Sequence, residues 1–236
     1  MATGLILAAA GRGERLGTGG PKALCRLAGE PIVVHAVRGA SSSGVIDVVA
    51  VAAPPDRVAE VEALVAGEAG HVIVLPGGAG RPESVAAALA ALPRDVDTVL
   101  VHDAARCLTP PEVFTAVARA VGEGAAAVVP GIAVADTIKR VEGDRVVGTP
   151  DRDTLRAVQT PQGFRRDVLE QSHATATGAV TDDAGMAELA GYPVRVVPGH
   201  DEAFKITRVV DLLLAEAILT RRAEYARRPR PGADRP

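Results

Sequence analysis

Three cations, Arg12, Arg15 and Lys22, follow one short apolar run, Leu5 to Ala10, and share their stretch with Gly11, Gly13, Gly17, Gly19 and Gly20. Glycine lets a backbone approach an anion closely, so amide groups and cationic side chains in such a loop can surround phosphates without steric cost. The chemistry this suggests is the gripping of a polyphosphate. Two standard phosphate loops do not fit. A Walker loop ends in Gly-Lys-Ser/Thr, whereas Lys22 stands between Pro21 and Ala23. The dinucleotide fingerprint needs a third glycine where Leu16 stands, and Gly17 comes one position late. Neither a Walker ATPase nor a dehydrogenase is the natural reading.

Other residues of the right type recur downstream. Gly77, Gly78 and Gly80 form a second glycine loop, suited to close approach of a planar base. Ser84 lies near the start of the helix that follows, where it serves either as a cap or as a ligand contact. His102-Asp103-Ala104-Ala105-Arg106 sets a carboxylate and a guanidinium three residues apart. Asp103 is suited to a divalent cation or a ribose and Arg106 to a phosphate. The plainer alternative is an Asp103–Arg106 ion pair within the loop, which contributes little. His102 reads as a satisfied core histidine, and Thr181, ahead of Asp182 and Asp183, as a helix N-cap.

These loops need rigid elements to aim them. Hydrophobic periodicity predicts strands at the apolar run from Leu5, at 45–51, 71–75, 98–101, 125–129 and 194–197, and helices at 31–39, 57–66, from near Ser84 on to Leu92, 111–121, from 166, 181–189 and 209–225. Strand and helix alternate, which predicts a Rossmann-like, doubly wound α/β sheet, mainly parallel, with right-handed crossovers. In such a sheet all three loops leave the carboxyl ends of strands, where ligands bind. From Ile132 to Gly148 the pattern changes to short alternating runs around Glu142-Gly143-Asp144, an inserted β-hairpin arm that is the candidate dimer element.

Composition narrows the class. Aromatic residues make up 2% of the 236-residue chain and its formal net charge is −3. It therefore offers no ring platform or general basic face for nucleic acid, and no general attraction to anionic membranes. Cys25 and Cys107 have no spacing that suggests a disulfide framework or a zinc site. No apolar run approaches membrane-spanning length, and the N-terminal run lacks a basic region ahead of it. A soluble, cytoplasmic protein is expected.

The ordered set Ala9-Ala10-Gly11-x-Gly13-x-Arg15, Pro21-Lys22, Gly77-Gly78-x-x-Arg81-x-x-Ser84-Val85, His102 to Arg106, Asp136-Thr137-x-Lys139, Thr160-Pro161-Gln162, Thr181 to Ala184 and Lys205-Ile206-Thr207 resembles the 2-C-methyl-D-erythritol 4-phosphate cytidylyltransferase family. The resemblance implies CTP and a methylerythritol phosphate as substrates, Mg²⁺ held mainly by the CTP phosphates with no protein metal ligand assigned, and a homodimer whose arm, about 132–159, reaches the partner's site. It implies Arg15 and Lys22 as catalytic cations. Ala9, Ala10, Gly11, Gly13, Lys22, Gly78, Ser84, Asp103 and Ala104 are implied at the nucleotide, and Asp103, Arg106, Thr137, Arg152, Thr181 and Lys205 at the acceptor. One nucleotidyltransferase domain over 1–226 and a disordered Arg/Pro-rich tail over 227–236 are expected. The chain departs from the family's pattern at Ala8 and Cys107, where proline is usual; neither change removes a charged or hydrogen-bonding group. A cytidylyltransferase for another polyol phosphate, such as ribitol 5-phosphate, and a non-catalytic nucleotide-binding module are the alternatives.

Overall fold

The computed structural model describes residues 2–13, 16, 20–175 and 180–227. The first apolar run forms β1 (Ala2–Ala8), which is followed by the glycine loop, a small hairpin of β2 (Arg26–Leu27) and β3 (Glu30–Pro31), and α1 (Ile32–Ser41). Then come β4 (Val48–Ala53), α2 (Val58–Val65), β5 (Val72–Pro76), α3 (Arg81–Ala91), β6 (Val96–Asp103), α4 (Pro111–Gly122) and β7 (Ala127–Ala133). The arm carries β8 (Arg140–Glu142) and β9 (Arg145–Gly148), after which the chain returns through β10 (Arg156–Val158) and β11 (Gln162–Arg165). It ends with α5 (Arg166–Thr175), α6 (Asp183–Leu189), β12 (Val194–Pro198) and α7 (Val209–Arg227). Helix α7 thus runs one residue into the segment expected as tail, and 228–236 lie outside the described residues.

The expected doubly wound sheet is present. β6, β1, β4 and β5 lie side by side and parallel. β1 carries side chains to both faces with period two: Leu5 and Leu7 pack with α1, α2 and α4, while Ile6 packs with α3, α5 and α6. All three are fully buried, each contributing about 1.5–3 kcal/mol. Burial on both faces is why β1 reads as a continuous apolar run. The chain leaves β1 toward β4 on one side and meets β6 on the other, so the winding reverses at the β1/β6 boundary, where such sheets bind ligands.

Two details differ from the sequence reading. β10 and β11 are antiparallel and line up along the same edge of β7, opposite β12, so the chain returning from the arm fills the gap between β6 and β7. The strand expected from Val45 starts at Val48, because the Asp47 carboxylate accepts a 2.7 Å hydrogen bond from the Thr3 amide and fixes a turn there. The arm hairpin itself, β8 with β9, pairs with no other strand among the described residues.

Candidate active site

Parallel register brings the carboxyl ends of the strands together: Ala8 stands opposite both Ala52 and Asp103, and Ala53 opposite Pro76. Beyond β1 the first loop folds back on itself. The Lys22 amide donates to the Gly11 carbonyl at 3.2 Å, and Gly13 adopts φ +73°, where a Cβ would lie 3.0 Å from the Lys22 nitrogen. Glycine is needed there on both counts. Lys22 opens a 3-10 turn, and its ammonium donates to the Ile206 carbonyl at 2.9 Å. Arg15 lies outside the described residues.

The second loop, after β5, presses against the first. A Cβ at Gly77 would collide with the Ala10 side chain. Ser84 is not the cap that its position suggested: α3 begins after Gly80, and the Ser84 hydroxyl donates to the Gly80 carbonyl at 2.7 Å and accepts from the Gly78 amide at 3.0 Å. It braces the loop from inside the first turn of the helix.

At the end of β6 the expected Asp103–Arg106 pair is not the one formed. Asp103 accepts from Arg81 Nε at 3.1 Å on one oxygen and from Lys205 Nζ at 2.7 Å on the other. Burial pushes its carboxyl up, but the charges and hydrogen bonds of Lys205 and Arg81 outweigh burial and hold it well below the usual carboxylate range. Arg106 turns away and donates to the Ala203 carbonyl at 2.8 Å, while the Ile206 amide donates to the Ala105 carbonyl at 2.8 Å. Both bonds tie the Lys205 loop to the end of β6. His102 is satisfied at one nitrogen only: Nδ1 meets the Thr160 hydroxyl at 2.9 Å, whereas Nε2 is buried without a partner among the described residues. Burial lowers its pKa to about 4, so the ring is neutral at pH 7.

The three loops enclose a cleft of about 1030 Å³. It is lined by Ala9, Ala10, Gly11, Gly13, Lys22, Gly78, Ser84, Asp103, Ala104 and Lys205 from the predicted set. Among its described lining residues four cations, Arg12, Lys22, Arg81 and Lys205, face two carboxylates, Asp56 and Asp103. That positive balance, on a chain of net charge −3, suits a polyanion. Arg106 and Thr181 are not in the lining, and Thr181 is not the N-cap; the Asp182 carboxylate caps α6 by accepting from Gly185 N at 3.0 Å. Thr137 and Arg152 sit exposed on the arm, outside the cleft lining, with Arg152 donating to the Ala135 carbonyl at 3.0 Å. Sequence reasoning did not assign Arg81, Asp183 or His173, which continue the charge chain from Asp103. Arg81 was visible inside the second loop's motif, but its bond to Asp183 spans 102 residues and leaves no spacing to read.

No three His, Cys, Asp or Glu side chains gather to hold a metal among the described residues. Both Asp103 oxygens already have cationic partners. The donors present fit a Mg²⁺ carried on substrate phosphates, with at most one or two carboxylates from the protein.

The model of the IspD family, 2-C-methyl-D-erythritol 4-phosphate cytidylyltransferase, matches residues 3–221. The chain belongs to this family. A relative from Streptomyces avermitilis, named 2-C-methyl-D-erythritol 4-phosphate cytidylyltransferase, is 53% identical over 231 residues, covering 93% of this chain and 92% of its own. One of the same name from Saccharopolyspora erythraea is 54% identical over 223 residues, covering 93% and 100%. Among solved structures, the 4-diphosphocytidyl-2C-methyl-D-erythritol synthase of Anaerococcus prevotii superposes with a TM-score of 0.82 at 26% identity, covering 93% of this chain and 98% of that one. The family match spans the first glycine loop, the second, and the Lys205 loop, so the whole cleft lies within it. Among the described residues no helix is long and apolar enough to cross a membrane.

Proposed function

We propose that this chain transfers CMP from CTP to 2-C-methyl-D-erythritol 4-phosphate, releasing pyrophosphate and 4-diphosphocytidyl-2-C-methyl-D-erythritol. The observation that carries the reading is the cation-rich cleft built from two glycine loops in a member of this family. A phosphate oxygen of the acceptor attacks the α-phosphorus of CTP, the new P–O bond forms, and the α–β bridging bond breaks with its electron pair leaving on pyrophosphate. The acceptor phosphate is already an adequate nucleophile, so no side chain need remove a proton. The task is to bring two polyanions together and to offset the charge that develops on the leaving group.

Lys22, anchored through its backbone to Gly11, supplies one such charge, and Arg15 supplies the second. Lys205 and Asp103 hold the acceptor side. When bound, Mg²⁺ adds charge neutralisation on the phosphates. The close fit of the second loop, braced by Ser84, positions the base. The arm serves a homodimer, with Thr137 and Arg152 completing the partner's acceptor pocket, and the enzyme acts in the cytoplasm as one domain over 1–226.

The test is pyrophosphate release by the purified protein with Mg²⁺, offering CTP, UTP, ATP or GTP against methylerythritol 4-phosphate or ribitol 5-phosphate. Release with CTP and methylerythritol 4-phosphate is expected. Release only with ribitol phosphate would keep the chemistry and change the acceptor, and release with no pair would withdraw the roles given to Lys22 and Arg15.

A further inference from the structure

Asp183 is a fully buried carboxylate at the first residue of α6. Leaving such a group in the interior costs several kcal/mol unless it is paired. One of its oxygens meets Arg81 Nη1 at 2.6 Å and the other meets His173 Nε2 at 3.0 Å. Burial pushes the Asp183 carboxyl up, but the His173 hydrogen bond and the Arg81 charge outweigh it and hold it down, so the group is ionised at neutral pH. Its charge is not needed to cap the helix, since Asp182 does that.

The geometry points to Asp183 as a positioning residue that, by holding one branch of the Arg81 guanidinium, reserves an oxygen of Asp103 for Lys205. Guanidinium groups grip both oxygens of a single carboxylate readily, in a two-bond fork. Here the fork is split: Nε goes to Asp103 and Nη1 to Asp183. Asp103 therefore gives Arg81 one oxygen and keeps the other for the Lys205 ammonium at 2.7 Å. The anchors of this chain are well fixed. Arg81 opens α3, Asp183 opens α6, and the Asp103 amide donates to the Thr160 hydroxyl at 3.1 Å. Without the Asp183 charge the fork is free to close on Asp103 and displace Lys205. The inference rests on the proposed cytidylyl transfer for its kinetic readout only.

The test is Asp183→Asn, which keeps the size of the side chain. Expected are a lowered melting temperature, since a buried ion pair is broken, an unchanged KM for CTP, and kcat/KM for the acceptor phosphate lower by about ten- to a hundredfold. In a Lys205→Gln background the same change should cost nothing further, because the two residues act along one chain. A readout independent of activity is the rate at which acetic anhydride acylates Lys205, followed by mass spectrometry, which should rise severalfold in Asp183→Asn. Equal losses in both backgrounds, or unchanged acylation, overturn the inference. Should Asp183→Asn fail to fold, Arg81→Lys replaces it: an ammonium has no fork to close on both Asp103 oxygens, so Lys205 should keep its oxygen and be acylated at the wild-type rate. Faster acylation of Lys205 in Arg81→Lys would overturn the inference. If the unmutated protein releases no pyrophosphate, the proposed function fails and acylation still decides the role of Asp183.

Discussion

The cleft and the arm are built in opposite ways by one chain. At the cleft, Asp103, and behind it Asp183, are 8% and 0% exposed, and each oxygen of these two carboxylates has a cationic or imidazole partner. On the arm, Val141 and Val146 are 57% and 54% exposed, and the hairpin pairs only with itself among the described residues. A lone two-stranded hairpin is marginal in water. The cleft holds its charges at fixed positions before any ligand arrives, whereas the arm presents apolar side chains that its own chain does not cover. Preorganisation belongs to the cleft and the proposed completion by a second subunit to the arm, and the two can be tested separately.

The largest effect belongs to the cleft. Lys22→Ala should lower turnover by about 10²–10³-fold, the usual loss when one group stabilising transition-state charge is removed. CTP binding should change little and the melting temperature should fall slightly, since the Gly11–Lys22 contact is made by backbone atoms while the bond from the Lys22 ammonium to the Ile206 carbonyl is lost. Steady-state kinetics with calorimetric CTP binding would check this. A variant with normal kcat and only a raised KM would show that Lys22 contributes uniform binding instead.

The next effect sharpens the contrast by crossing subunits. Arg152→Ala should raise the KM for the acceptor phosphate by roughly ten- to a hundredfold, the worth of a charge-assisted hydrogen bond. Mixing Lys22→Ala with Arg152→Ala subunits after reversible dissociation should then restore about a quarter of the wild-type sites, because half the dimers are mixed and one of their two sites is intact. Activity that stays at the sum of the two variants would place Arg152 outside the partner's pocket.

A third effect reads the cleft's burial through pH. The His102 pKa falls from 6.5 to about 4 on folding because the ring is buried, with Asp103 and Arg106 nearby pulling in opposite directions. Between those values the unfolded chain binds more protons than the folded one, so stability rises with pH across this window. The contribution is fully present above pH 6.5, is lost as pH falls toward 4, and amounts to at most roughly 3 kcal/mol. Thermal melts from pH 7 to 4 should show a slope that is reduced in His102→Gln. Parallel profiles for the two proteins would mean that folding does not shift the His102 pKa.

The legibility of the two regions also differs, for physical reasons. The glycine loops, Lys22 and Asp103 could be read because local chemistry and strand ends announce them, whereas Lys205 came only from the family resemblance. The arm could be read from its turn and alternating valines. What the residues did not announce are contacts made by topology. Arg81 finds Asp183, and Lys205 finds Asp103, each across 102 residues, and no local period encodes either pairing. β11 slips antiparallel between β6 and β7 because the chain returns from the arm at that gap. Caps were misplaced by small steps: Asp182 outcompetes Thr181 because its carboxylate reaches the Gly185 amide, and Ser84 lies one turn inside α3.

The smallest effect tests the contrast most directly, with one substitution made in both regions. Val101 on β6 is fully buried beside His102, and Val146 on β9 is half exposed. Val→Thr keeps the shape and adds a hydroxyl, so at Val101 it buries a polar group and should cost about 1–3 kcal/mol. At Val146 the hydroxyl meets water, and monomer stability should move by no more than about 0.5 kcal/mol. Denaturant unfolding at low protein concentration measures both. Repeating the Val146→Thr measurement at high concentration tests the proposed dimer, because burial between copies would make the cost grow with concentration. A cost at Val146 that matches Val101 even in dilute solution would mean that the arm packs within its own chain, and the division of labour between the two regions would fall with it.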